Sequence, residues 1–260
     1  MRICGLVSLS GGQGKTTTSF LLGLHLARCG LKVLWIDADP QGNLSFFSGV
    51  QVGSSEPALD HVYRGDGQIG DSIYRVVWEN LYIIPGTERL ARVNEYLASS
   101  GNGGRMLERR LRPIQNYFDY CIIDAPPSRS QIVLSVIGAC TDIIIPFEVA
   151  IKGTNCLIET LNLLSDLSEL EIWRGNLVGV LPFRDKWYGM SQMIDARENM
   201  DAVRLYLGNQ VQIFPAIIES AQYRTAIRQG KTLTDIGHSK LDLPFITILE
   251  KLGVQSYAKT

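Results

Sequence analysis

Ser8-Leu9-Ser10-Gly11-Gly12-Gln13-Gly14-Lys15-Thr16-Thr17-Thr18 stands between an apolar run and an apolar-periodic stretch. A glycine-rich turn ending in Lys-Thr, between a strand and a helix, is a phosphate cradle. Glycines let the backbone come close to the ligand with its N–H groups turned inward. The helix N-terminus adds positive potential and the lysine adds a full charge. The N–H groups of Gly11, Gly12, Gln13, Gly14, Lys15 and Thr16 are expected to hold the β-phosphate. Lys15 is the catalytic cation bridging the β- and γ-phosphates, the Thr16 hydroxyl is a Mg²⁺ ligand, and Thr17 is placed for the α-phosphate.

Outward from the cradle, short apolar runs alternate with helical periodicity. Strands are predicted at 2–8, 32–36, 81–84, 120–123, 142–146, 177–181 and 211–214. Helices are predicted at 16–28, 105–116, 131–139, 154–170, 190–207, 221–229 and 244–252. Runs apolar throughout suit strands buried on both faces. The alternation predicts an α/β fold with a doubly wound, mostly parallel sheet and helices on both faces, ligands binding at the carboxyl ends of the strands. Residues 49–70 form an irregular surface excursion with a short helix. At 260 residues, 45% hydrophobic and 20% charged, the chain suits one domain over 1–260, and a net charge of −1 excludes a histone-like polycation. The five cysteines are scattered without a C-x-x-C pair, as in a reduced cytoplasmic protein. The start runs directly into a strand the cradle needs, which is not a signal peptide, and no apolar run reaches membrane-spanning length.

Two further motifs carry carboxylates. In Leu34-Trp35-Ile36-Asp37-Ala38-Asp39-Pro40-Gln41-Gly42-Asn43, Asp37 and Asp39 are two apart on an extended segment and face the same way. Asp39 is the candidate for orienting the attacking water, and Asp37 supports the metal shell or the loop. In Cys121-Ile122-Ile123-Asp124-Ala125-Pro126-Pro127-Ser128, an aspartate closes an apolar strand and supplies the outer Mg²⁺ contact, while Pro-Pro stiffens the loop beyond.

With these pieces in order, the chain resembles the ParA/MinD family of deviant Walker ATPases, in the ParA branch. The matching stretches are S-G-G-Q-G-K-T-T-T, D-A-D-P-Q-G-N, L-Y-I-I-P-G, F-D-Y-C-I-I-D-A-P-P and I-I-I-P-F-E, within residues 1 to about 160. The resemblance implies a slow ATPase with ATP and Mg²⁺ as cofactors and a homodimer clamped by ATP. It implies non-specific binding to double-stranded DNA and an adaptor protein that triggers hydrolysis. It places the protein in the cytoplasm, on the nucleoid and off the membrane, where it positions a cargo. The family's turn begins K-G-G, and that first lysine reaches the partner subunit's nucleotide. Here Ser10 stands in its place, and a hydroxyl cannot replace an ammonium. Lys152, just past a strand end on the ligand side, is the candidate to supply that catalytic charge in trans. Serine at this position resembles the carboxysome-positioning subgroup of the family (McdA, maintenance of carboxysome distribution), which implies carboxysomes as cargo and an McdB-like adaptor.

By the same resemblance, Phe183 and Arg184 in one loop and Pro215 in a later segment match where the family contacts adenine. The usual Pro-Arg after the later strand is absent, with Glu219-Ser220 in its place. For DNA, Arg224 and Arg228 are four apart on one helix face with Lys231 close by; Arg105, Arg109, Arg110 and Arg112 form the alternative basic face. A plasmid or chromosome partition ATPase and an ATP-binding dimerisation switch with little turnover are the other readings. A MinD-like membrane cycler requires a basic amphipathic C-terminal helix, and the tail has one lysine beside one glutamate.

Overall fold

The computed structural model describes residues 1–189 and 191–255. Strand β1 (Arg2–Leu6) enters the cradle, which opens into α1 (Lys15–Arg28). Next come β2 (Val33–Asp37), α2 (Asn43–Ser48), α3 (Leu59–Arg64), β3 (Tyr74–Arg75) and β4 (Leu81–Ile84). Then α4 (Val93–Ser99) and α5 (Met106–Leu111) lead to β5 (Tyr120–Asp124), α6 (Gln131–Ala139), β6 (Asp142–Glu148), α7 (Ile151–Glu169) and β7 (Asn176–Asp185). A small hairpin, β8 (Trp187–Tyr188) and β9 (Ser191–Gln192), precedes α8 (Ile194–Leu207), β10 (Ile217–Ile218), α9 (Ala221–Gln229) and α10 (Leu243–Lys251).

The main sheet runs β10-β7-β6-β1-β5-β2-β4-β3, parallel except for β3. Side chains alternate between two cores, as strand geometry requires. In β2, Leu34 and Ile36 join the helices α3 to α8 on one face, while Val33 and Trp35 join α1, α2, α9 and α10 on the other. Each such fully buried Leu, Ile or Phe contributes about 1.5–3 kcal/mol relative to exposure. The chain leaves β1 toward β2 on one side and, later, toward β6 on the other. Central β1 is therefore where the strand order reverses, and the cradle sits at its carboxyl end.

The expected doubly wound architecture is present, with local differences. Residues 211–214 make only a single bridge, Ile213 to Val180. Pro215 has no N–H for a ladder, and the edge strand forms beyond it at Ile217–Ile218. The helix expected over 105–116 is regular only to Leu111, because Pro113 cannot donate to the preceding turn. The helix expected from 190 begins at Ile194, and Met190 itself lies outside the described residues. The Asp185 carboxylate accepts from Trp187 Nε1 at 2.8 Å and Gln192 Nε2 at 2.7 Å, which draws the intervening residues into the hairpin. Helix α7 starts three residues earlier than expected, placing Lys152 in its first turn. Among the described residues, no helix is long and apolar enough to cross a membrane.

Candidate nucleotide site

Gly12 and Gly14 have φ of 81° and 90°, the left-handed region that a side chain resists. Gly14 caps α1, and a Cβ there would lie 2.5 Å from the Phe183 ring. The turn is thus held open by absent side chains while Phe183 supports it from beneath. The Lys15 ammonium is buried and donates to the carbonyls of Ser8 at 2.9 Å and Ser10 at 2.8 Å. Burial lowers its hold on the proton, and the charges of Asp124 and Asp39 partly restore it.

Thr16 Oγ1 donates to Asp124 Oδ2 at 2.6 Å, and Ser19 Oγ donates to Oδ1 at 3.4 Å. Asp124 ends β5 in register with Asp37 at the end of β2, and both are fully buried. Burial, and then the charge of Asp37, push the Asp124 carboxyl up to about 8. Burial pushes Asp37 up to about 6 against the pull of its bonds from Ser45. Two neighbouring buried carboxylates are only partly offset by the Lys15 ammonium. A carboxylate and a hydroxyl are hard oxygen donors of the kind Mg²⁺ takes, with phosphate and water completing its shell. Thr16 and Asp124 therefore fit the ion.

Asp39 is 8% exposed, accepts from Gln41 N at 2.9 Å and lines a cavity of about 300 Å³ together with residues 11–17 of the cradle. Phe183 and Arg184 line the same cavity. Arg184 sits at φ 55° with its guanidinium 5.4 Å from the Phe183 ring centroid and 3.5 Å from Glu148 Oε1. Gln41, Asn43 and Pro127 also line it. All three lie inside the quoted motifs, and nothing in residue type alone had given them a role.

Two expected site residues lie outside the walls of this cavity. Asp37 does not reach the cavity as a nucleotide contact. Its carboxylate accepts from Ser45 N at 2.8 Å, Ser45 Oγ at 2.7 Å and Asp39 N at 3.2 Å, so it fixes the Asp39 loop. Pro215 lines a separate cavity of about 790 Å³ with Trp187, Met200 and Tyr223. The edge strand ends at Ile218, which lines that same separate cavity.

The Gln13 side chain is also buried. Its Oε1 accepts from Glu148 N at 2.7 Å and its Nε2 donates to Gly11 O at 3.3 Å, tying the cradle to the end of β6. A Cβ on Gly153 would fall 2.0 Å from Glu148 O, so the first turn of α7 rests directly on that backbone. Lys152 rides on this turn, exposed and away from the walls of its own subunit's cavity, beside Ile151 at 73% exposure.

Far from the cavity, α9 buries Tyr223, Ala226 and Ile227 and exposes Arg224 and Arg228, with Lys231 exposed after it. None of these three cations makes an ion pair among the described residues. In the alternative cluster, Glu108 pairs with Arg105 at 3.0 Å and Arg112 at 3.1 Å.

Residues 1–172 match a family model described as an AAA domain. Over 255 residues the chain is 44% identical to the "Maintenance of carboxysome distribution protein A" of Gloeothece citriformis (strain PCC 7424), covering 98% of each. An aspartate-to-alanine variant of Cyanothece McdA in complex with ATP superposes with a TM-score of 0.96 at 43% identity, covering 100% of this chain and 99% of that one. The septum site-determining protein MinD of Pyrococcus horikoshii OT3, complexed with Mg-ADP, superposes with a TM-score of 0.73 at 25% identity, covering 96% and 95%. The site is that of an ATPase using ATP and Mg²⁺. The chain belongs to the AAA-domain family of ParA/MinD-type P-loop ATPases, with the maintenance of carboxysome distribution A proteins among its relatives.

Proposed function

We propose that the chain, acting as one unit over residues 1–260, forms an ATP-dependent homodimer that binds DNA non-specifically and positions carboxysomes over the nucleoid. An McdB-like adaptor protein stimulates its hydrolysis. The observation that carries this reading is a hydrolytic cradle with Ser10 where the family's turn has its first lysine, and an exposed lysine, Lys152, held on the turn next to it. Lys15, fixed between two carbonyls, meets phosphate charge without reorganising. Asp39 orients the water and accepts its proton at the carboxylate. Mg²⁺, when bound, neutralises phosphate charge; Thr16 and Asp124 hold it. Phe183 and Arg184 bound the cavity on the side where the base lies.

Lys152 meets the partner subunit's nucleotide across the two-fold interface. A cation in the first turn of a 19-residue helix is disfavoured by the helix dipole unless an anion is near. Lys152 has no ion pair in its own subunit among the described residues. A triphosphate from a second copy supplies that anion and makes dimerisation depend on ATP.

Dimerisation doubles the Arg224, Arg228 and Lys231 face. Two weak phosphate-binding patches on one rigid body gain affinity through effective concentration, so ATP turns DNA binding on. The test is retention on duplex DNA in ATP and in ADP across a salt series. The slope of log K against log salt falls by about 0.9 per lost phosphate contact. Arg224→Ala with Arg228→Ala removes two contacts per subunit and four per dimer, an expected loss of about 3.6 in slope. An unchanged slope moves the DNA face to the Arg109 side, and equal retention in ADP and ATP contradicts the switch.

A further inference from the structure

We propose that a cationic cleft at the opposite end of the sheet from the cradle binds an acidic segment of a partner protein through its carboxylates and one apolar anchor side chain. The cleft encloses about 760 Å³, within the range of about 300–1,000 Å³ usual for ligand sites. Lys32 precedes β2, Tyr82 is the second residue of β4 and Phe118 precedes β5. All three mark the amino ends of parallel strands, whereas the cradle lies at the carboxyl ends. Occupation of the cleft is therefore compatible with a bound nucleotide and with a dimer formed through the nucleotide face.

The chemistry of the walls selects the ligand. Besides His61, the cleft is lined by the cations Lys32, Arg75, Arg109 and Arg110 and by one acid, Asp66. That excess stands in a chain of net charge −1. None of the four cations makes an ion pair among the described residues. Arg110 donates only to the carbonyls of Tyr63 at 3.3 Å and Arg64 at 3.0 Å, which positions its charge at the end of α3 without cancelling it. The Lys32 ammonium lies 5.4 Å from the Tyr82 ring centroid and 5.5 Å from that of Phe118. The nearby acids are turned elsewhere: Asp119 accepts from the Lys32 backbone N–H at 2.7 Å, and Asp71 from Gln68 N at 3.2 Å.

The floor is apolar and aromatic, with Tyr82, Phe118 and Ile114. Cations around an apolar floor call for a ligand that carries both negative charge and an apolar group. A phosphate nest is a different arrangement, built from free backbone N–H groups. Here three of the loop amides are spent within the chain: Gly65 and Asp66 donate to His61 O at 2.8 and 3.1 Å, and Gln68 to Asp71. Recognition falls to separate side-chain cations, which suits carboxylates spaced along a polypeptide.

The test is fluorescence anisotropy of the full-length protein with labelled ten-residue peptides, half Asp and Glu with a central Phe, Leu or Trp. Matched peptides carry Asn and Gln for the acids, or Ala for the anchor. Acidic anchored peptides are expected to bind at least tenfold more tightly than either control, and excess ATP is expected not to displace them. Arg75→Glu with Arg109→Glu changes two exposed side chains. It is expected to weaken the peptide at least tenfold while circular dichroism and basal ATP turnover stay as in the wild type. Binding without preference for acid or anchor, or equal binding by the double variant, overturns the proposal. Displacement by duplex DNA at matched ionic strength assigns the cleft to nucleic acid and also overturns it, as does displacement by inorganic pyrophosphate, which reduces it to a small-anion site.

Discussion

Asp39→Ala is expected to lower ATP turnover by roughly 10²- to 10⁴-fold, the worth of a positioned general base, while ATP still drives dimerisation. Asp39 lines the cavity within a loop that Asp37 and Ser45 brace against the sheet. Its removal leaves the cradle, Lys15 and the Thr16–Asp124 pair in place, so binding and chemistry separate. The substitution also deletes the acceptor for Gln41 N. Asp39→Asn keeps an oxygen there and removes the charge. A shared loss in both variants therefore assigns the effect to the carboxylate, and a loss confined to alanine assigns it to the loop. Phosphate release measured beside light scattering in ATP distinguishes these outcomes. Turnover close to that of the wild type in both variants removes Asp39 from the chemistry.

Lys152→Ala is expected to abolish ATP-dependent dimerisation and to cut turnover by about 10³- to 10⁵-fold, the range for a cation supplied in trans to a transferred phosphoryl group. Nucleotide affinity of the isolated subunit is expected to change little, because Lys152 does not line its own cavity. Its placement depends on two other residues. Gln13 pins the Glu148 backbone to the cradle, and Gly153 lets the first turn of α7 settle on that backbone. Lys152 is thus held at a fixed offset from the cradle of its own subunit, as a two-fold contact between facing cradles needs. An unchanged dimer in Lys152→Ala contradicts the assignment.

Much of this was legible in the sequence, for physical reasons that differ by element. The cradle and the strands β1, β2, β5 and β6 announced themselves because a buried parallel strand must be apolar throughout and a phosphate turn must be glycine-rich. Helices α1, α6 and α9 were visible from their periodicity. The edge strand was displaced because apolarity at 211–214 reads as a strand, while the ladder is decided by where Pro215 lacks its N–H. The hairpin after β7 was hidden because Asp185 organises it through two side-chain bonds that no local pattern encodes. At the site, Asp37 was ambiguous between the metal shell and the loop. Its partner Ser45 is eight residues away, on a helix of only six residues too short to show a period. Of the cationic cleft only Arg109 and Arg110 were visible, as part of a basic face, since Lys32 and Arg75 join them only through the strand order.

The most direct measurement mixes two inactive proteins. Lys152→Ala and Asp39→Ala, combined in equal amounts, form heterodimers that each keep one of the two Lys152 contacts. If Lys152 acts in trans and Asp39 in its own subunit, each heterodimer holds one intact site, in the Lys152→Ala subunit. ATP turnover is then expected to rise well above that of either variant alone, as the symmetry of a two-fold dimer requires. If Lys152 acts only within its own subunit, both sites remain broken and the mixture stays as inactive as its components, which would contradict the assignment of the missing charge to Lys152 across the interface.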